Sequence, residues 1–234
     1  MSLTTEYLQR ADVRIAQYLE AINYHLLYTK FPIILVENTG YDFTPHFQKE
    51  VSSGRMEILT FQGNKLSYKY GKGYGELLIM KHAFEKSLFI REQSSCVIKT
   101  TGRHMIYNAS QLYRLVKFFA RKKEFVAANL IGHHLWATSD LFIASRNFFE
   151  EYLFHTTSKL NDTEYCMENS LYDAIINFHK DGYHVIQLPY SIKQSGKLGL
   201  NNQDLSKTIL SSHRFGVKCF IMSVLNELHL RKIF

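Results

Sequence analysis

The side chains that could do chemistry in this chain fall into three groups. The first is cationic: Lys72, set beside Gly73 and Gly75 in Gly71-Lys72-Gly73-Tyr74-Gly75, and then Lys99 and Arg103 in Lys99-Thr100-Thr101-Gly102-Arg103. A guanidinium presents a planar fork to phosphate oxygens and a lysine a point charge, while glycine N–H groups near a helix start let the backbone approach an anion. The second group is acidic. Glu168 stands near the start of an amphipathic run, with Glu164 and Asp173 a turn or so away. A carboxylate in that position can take a proton from a hydroxyl. The third is Glu37-Asn38, directly after the apolar run Pro32-Ile33-Ile34-Leu35-Val36, where strand-end residues of α/β sheets hydrogen-bond a base or a ribose. Together these groups could neutralise a diphosphate leaving group, orient a donor and deprotonate an acceptor.

Each group also has a plainer reading. The Lys-Gly-Tyr-Gly segment can be a solvated turn, and Glu168, Asp173 and Glu164 can be carboxylates favoured in a first helical turn. Glu37-Asn38 can be turn chemistry. His133-His134, close to Trp136, suggests a metal, yet adjacent residues of a strand point to opposite faces and a third ligand is lacking. A loop or core role is the plainer reading of His133 and His134, with no metal. Lys193 to Asn202 is glycine-rich and basic, and reads as either a lid or a connecting loop.

The elements that must hold these residues follow from hydropathy. Helical spacing covers Asp12 to Tyr28, about Glu76 to Phe89, Ser110 to Ala120, Arg146 to His155 and Glu164 to Lys180. Strand-like runs lie at 32–36, 56–60, 96–98, 124–130, 139–144 and 184–188, and Gly71–Gly75 reads as a turn. The alternation predicts an α/β fold, a three-layer sandwich with a largely parallel sheet, in one domain. Its opening strand is missing or stunted, since Met1 to Gln9 offers only Ser2-Leu3-Thr4-Thr5. A long amphipathic pattern over 203–234 is expected to pack on the sheet, form a dimer seam or lie on an anionic membrane surface.

Composition narrows the function classes. The 234 residues carry a formal charge of +7, which implies an anionic partner. The basic residues are dispersed and form no recognisable nucleic-acid motif, so nucleic acid is not the expected partner. Apolar runs reach only strand length, far below the ~20 residues of a membrane span, and the first ten residues lack a secretory h-region. Cys96, Cys166 and Cys219 are widely spaced and read as small buried hydrophobes in a reducing cytoplasm.

The order of these blocks resembles the GT-A class of nucleotide-sugar glycosyltransferases, in particular bacterial enzymes that build surface polysaccharides. The strand with Glu37-Asn38-Thr39-Gly40-Tyr41-Asp42 looks like the strand and acidic loop that hold base and ribose. Gly71 to Gly75, the following helix and Cys96-Val97-Ile98-Lys99 look like the segments that lead to the acidic metal motif of that class. Ser139 to Ala144 and Glu164 to Leu188 look like the acceptor-side strand and the helix that begins with the catalytic acid. The likeness spans roughly residues 10–190, with residues 10–100 as nucleotide-binding half and 101–190 as acceptor half. It implies that His133, His134 and Asp140 line the acceptor side of a cleft. It implies a cytoplasmic enzyme, peripheral to the inner membrane, that uses a nucleotide-sugar donor and a glycan or lipid-linked acceptor. At the metal motif the chain departs from the class. Thr100-Thr101-Gly102-Arg103 stands where Asp-x-Asp is expected, and no carboxylate lies between Glu92 and Glu124 to hold Mg²⁺ or Mn²⁺. The resemblance therefore implies metal-independent transfer, with Lys99 and Arg103 at the diphosphate and Glu168 as base. The alternative is a non-catalytic binding or scaffold protein on the same fold.

Overall fold

The computed structural model describes residues 11–63, 70–92, 94–121, 123–131, 135–161, 163–189 and 191–196. The fold is mixed α/β. The chain divides into two compact units that interleave along the sequence: Phe31–Lys99 with Lys122–Val185, and Met1–Lys30 with Thr100–Arg121 and Ile186–Phe234. The expected helix over 203–234 lies outside the described residues.

The larger unit begins with two parallel strands, β1 (Ile33–Glu37) and β2 (Met56–Thr60), in register from Ile33↔Met56 to Glu37↔Thr60. A connection with the short helix α2 (Gln48–Ser52) joins them, and α3 (Lys72–Lys86) packs on β1. The short α4 (Leu88–Glu92) leads to β3 (Cys96–Thr100). A four-stranded sheet then runs in the order β3, β8 (Leu141–Ser145), β5 (Phe125–Ala128) and β9 (His184–Gln187). Its β5 and β8 are antiparallel, with Val126↔Ala144 and Ala127↔Ile143 in register. All five residues of β8 and all four of β5 are buried, as continuous apolar runs in a covered sheet should be. On this sheet lie α3, through Leu77, Met80 and Phe84, and α6 (Met167–Lys180), through Leu171, Ala174, Ile175 and Phe178. Phe84, Phe142 and Phe149 form a ring cluster, with centroids 4.7 Å apart for Phe84–Phe149 and 5.5 Å for Phe142–Phe149.

Several segments differ from their sequence reading for local reasons. Gly71–Gly75 is not a turn. Gly71, at φ +100° and ψ 172°, caps a helix whose first residues are Lys72 to Gly75. The run 124–130 breaks at Asn129, whose carbonyl accepts from Thr138 N at 3.0 Å. Beyond the break, β6 (Leu130–Ile131) pairs antiparallel with β7 (Trp136–Ala137). The expected α-helix over 146–155 is π-helical at Phe148–Leu153, then 3₁₀ over Phe154–Lys159. That wider turn brings the adjacent Phe148 and Phe149 into the core along with Leu153. The helix expected from Glu164 starts only at Met167. Asn161 Oδ1 accepts from Thr163 N and Glu164 N, at 3.2 and 3.0 Å, and closes a separate turn.

The smaller unit is built on α1 (Ala11–Tyr28) and α5 (Ala109–Ala120), with a two-residue antiparallel ladder between β4 (Met105–Ile106) and β10 (Gln194–Ser195). In α5 the buried residues Leu112, Val116, Phe119 and Ala120 recur at helical spacing, and Arg121 ends the helix at φ +49°. Asn108 does not cap α5. Its amide donates to the Ser191 carbonyl at 3.0 Å and accepts from Lys193 N at 2.9 Å, tying residues 191–193 to the helix start.

Candidate functional site

Lys99 is the first surprise. It is the fourth residue of β3, after the apolar Val97 and Ile98, and is only 8% exposed. A cation so deeply placed needs partners, and it has two. Its Nζ pairs with the Glu76 carboxylate on the first turns of α3, and it donates to the main-chain carbonyl of Ser139 ahead of β8. The ammonium also lies 5.9 Å from the centre of the Phe142 ring. Ser139 is held from its other end too: its hydroxyl donates to Glu168 Oε1 at 2.8 Å. Residues of α3, β3, the bend ahead of β8 and α6 thus form one chain of contacts, Glu76–Lys99–Ser139–Glu168, joined at Ser139 through its main chain and its hydroxyl. It gathers the beginnings of α3 and α6 at the carboxyl end of β3.

Glu168 occupies the second position of α6, where the helix dipole favours a carboxylate. Cys166 caps that helix in an extended conformation, with its thiol 3.0 Å from Asn169 Oδ1. Burial pushes the Cys166 thiol above its ordinary value, which makes it a poor thiolate nucleophile. The amide of Asn169 reaches the Leu135 carbonyl at 3.4 Å, joining the start of α6 to the β6–β7 hairpin. Asp173, the second acid read from sequence, accepts a 2.5 Å hydrogen bond from the Tyr165 hydroxyl. Burial, and then the Asp173 carboxylate, push that phenol well above the usual range. Asp173 and Glu168 thus each accept from a hydroxyl of the chain, Asp173 from Tyr165 and Glu168 from Ser139, and Glu168 also meets the Cys166 thiol.

The other residues read from sequence are dispersed around this chain of contacts. Glu37, at the end of β1, turns back on its own loop: Oε2 accepts from Thr39 N at 2.6 Å, Thr39 Oγ1 at 2.9 Å and Tyr41 N at 3.2 Å. Asn38 follows, its carbonyl accepting from Gly63 N at 2.9 Å. Lys72 is exposed at the first position of α3, and Gly73 and Gly75 are buried in the same turn. The Gly75 N–H donates within the helix to the Gly71 carbonyl at 3.3 Å, so it is not directed at a ligand. Arg103 belongs to the smaller unit and donates to Gln17 Oε1 at 3.3 Å. There Gly102 lies under the Tyr18 ring, where an added Cβ would come within 2.7 Å. Asp140 is half-buried beside Ser139, while His133 and His134 lie outside the described residues. Glu76 was not singled out from sequence. Its only signal there is its place four residues after Lys72 in a helix that faces a strand carrying one lysine.

Among the described residues, no three His, Cys, Asp or Glu side chains come together as a metal site would require. Among the same residues no helix is long and apolar enough to cross a membrane. In sequence comparisons the chain matches no protein-family model, and no curated protein is significantly similar to it.

Proposed function

We propose that this chain is a glycosyltransferase of GT-A type, with Glu168 as the base that deprotonates an acceptor hydroxyl. The observation that carries the reading is the 2.8 Å hydrogen bond from the Ser139 hydroxyl to Glu168 at the start of α6. It gives the carboxylate a hydroxyl partner in the geometry that base catalysis uses. In this reading the finer fold is a three-layer sandwich with a largely parallel sheet. The parallel β1–β2 pair with α3 packed on it supports that description. The donor is a nucleotide sugar and the acceptor a glycan or lipid-linked glycan of surface polysaccharide assembly, taken at the cytoplasmic face of the membrane. Lys99 does not meet the donor. It is a positioning residue that holds Ser139, and through it Glu168, against α3. Lys72, exposed at the first position of α3, is the residue this reading assigns to the diphosphate. Transfer then proceeds without a divalent ion, in keeping with the absence of carboxylates between Glu92 and Glu124.

A second reading, a non-catalytic scaffold on the same fold, draws on the neutralisation of Lys99 by Glu76, which removes one of the cations that the sequence reading assigned to the leaving group. A thermal-shift screen with UDP-, GDP-, CMP- and dTDP-sugars, with EDTA or with Mn²⁺, tests the proposal. One donor class should raise the melting temperature in EDTA. Stabilisation that needs Mn²⁺ overturns the metal-free reading, and no stabilisation by any donor overturns the donor assignment itself.

A further inference from the structure

The smaller unit holds a cleft of about 180 Å³ that no part of the transferase chemistry uses. Its wall is made by the end of α1, the residues after β4 and the first turns of α5. Three tyrosines dominate it. Tyr24 stacks at a tilt on Tyr28, with ring centres 4.7 Å apart, and meets Tyr107 edge-on at 5.2 Å. Tyr28 and Tyr107 are 65% and 46% exposed, a large aromatic surface to leave in water. Ser110, Gln111 and Arg114 add polar groups to the wall, and the described residues give the side chains of Gln111 and Arg114 no hydrogen-bond partner. Asn108 also lines the cleft, but its side chain is committed to residues 191–193 and serves to fix the start of α5.

We infer that this cleft binds a sugar ring of an oligosaccharide. Exposed tyrosine faces offer rigid, amphipathic surfaces to the C–H face of a pyranose. Around them stand the Ser110 hydroxyl and the Gln111 carboxamide, which can both donate to and accept from ring hydroxyls, and the Arg114 guanidinium, which can only donate. Arg114 is the one cationic side chain among the lining residues, too little for a diphosphate and well matched to the carboxylate of an acidic sugar. The inference goes beyond the transferase reading and stands without Glu168.

Saturation-transfer difference NMR on the full chain tests it, with methyl β-glucopyranoside, methyl β-galactopyranoside, methyl glucuronide and UMP as probes. Ring protons of at least one sugar should receive saturation. The signal should fall about threefold or more in Tyr28→Ala and in Tyr107→Ala, and persist in Tyr107→Phe. Arg114→Ala should weaken the glucuronide alone. Tyr28 is exposed, so Tyr28→Ala should keep the wild-type circular dichroism spectrum and report on binding. The inference is overturned if no sugar is saturated, if both alanine variants match the wild type, or if only UMP responds.

Discussion

Glu37 and Glu168 are both carboxylates at the ends of elements in the larger unit, and the fold uses them in opposite ways. Glu37 accepts three hydrogen bonds from residues two and four positions ahead, so its charge shapes one loop. Glu168 reaches a hydroxyl 29 positions away, on a residue that a buried lysine holds in turn. A carboxylate whose partners are all sequence neighbours is explained by the turn it closes. One whose position depends on a second element and a buried cation is built to hold a geometry. By the same test Lys99, once a candidate for the diphosphate, belongs to the framework of the site, and Lys72 to its surface.

Substitutions can break or sharpen that contrast. The largest loss of stability is expected for Lys99→Met, which leaves Glu76 without its cation and Ser139 without its donor. Because Glu76 is 31% exposed, the cost should fall below that of a fully buried pair, at about 2–3 kcal/mol in urea unfolding. The double variant Lys99→Met with Glu76→Gln should recover part of it, and simple additivity would contradict the pairing. Next comes Gly71→Ala. At φ +100° and ψ 172° the cap adopts a conformation essentially reserved for glycine, so alanine should cost about 1–3 kcal/mol and fray the start of α3. Glu37→Ala should cost about 1 kcal/mol by loosening the loop, and should leave the Ser139–Glu168 contact intact.

The smallest effect concerns the smaller unit. Burial holds His25 below the ordinary histidine range, although its hydrogen bond to the His104 carbonyl acts in the other direction. The folded chain then binds that proton less tightly than the unfolded chain. Stability should fall as the solution is acidified below about pH 6.5 and level off below the folded value. In His25→Gln, which can still donate to the same carbonyl, the urea midpoint should depend less on pH across that window. An unchanged dependence would exclude His25 as its source.

Much of the local structure was legible in the sequence, and the long-range structure was not. The strand Met56–Thr60 and the helices Ala11–Tyr28 and Ala109–Ala120 follow from hydropathy almost to the residue, because each carries an apolar pattern of a single period. Gly71–Gly75 misled because glycine favours turns, yet here one glycine caps the helix and two pack inside it. The site was half visible. Glu168 and Lys99 stood out by type and position, but their connection runs through Ser139 and Glu76, and a serine or a surface-patterned glutamate gives no signal until the strands are placed. The pairing of β5 with β8, which brings Ser139 to α6, depends on contacts distant in sequence that no local pattern encodes.

The measurement that bears most directly on the account is release of the nucleotide from the donor that stabilises the protein, in EDTA and with an added glycan or water taking the sugar, by the wild type and by Glu168→Gln. The account predicts that release falls at least about 100-fold in the variant while its donor-induced rise in melting temperature is unchanged. Equal release by the two proteins, or none above background by the wild type, would contradict it.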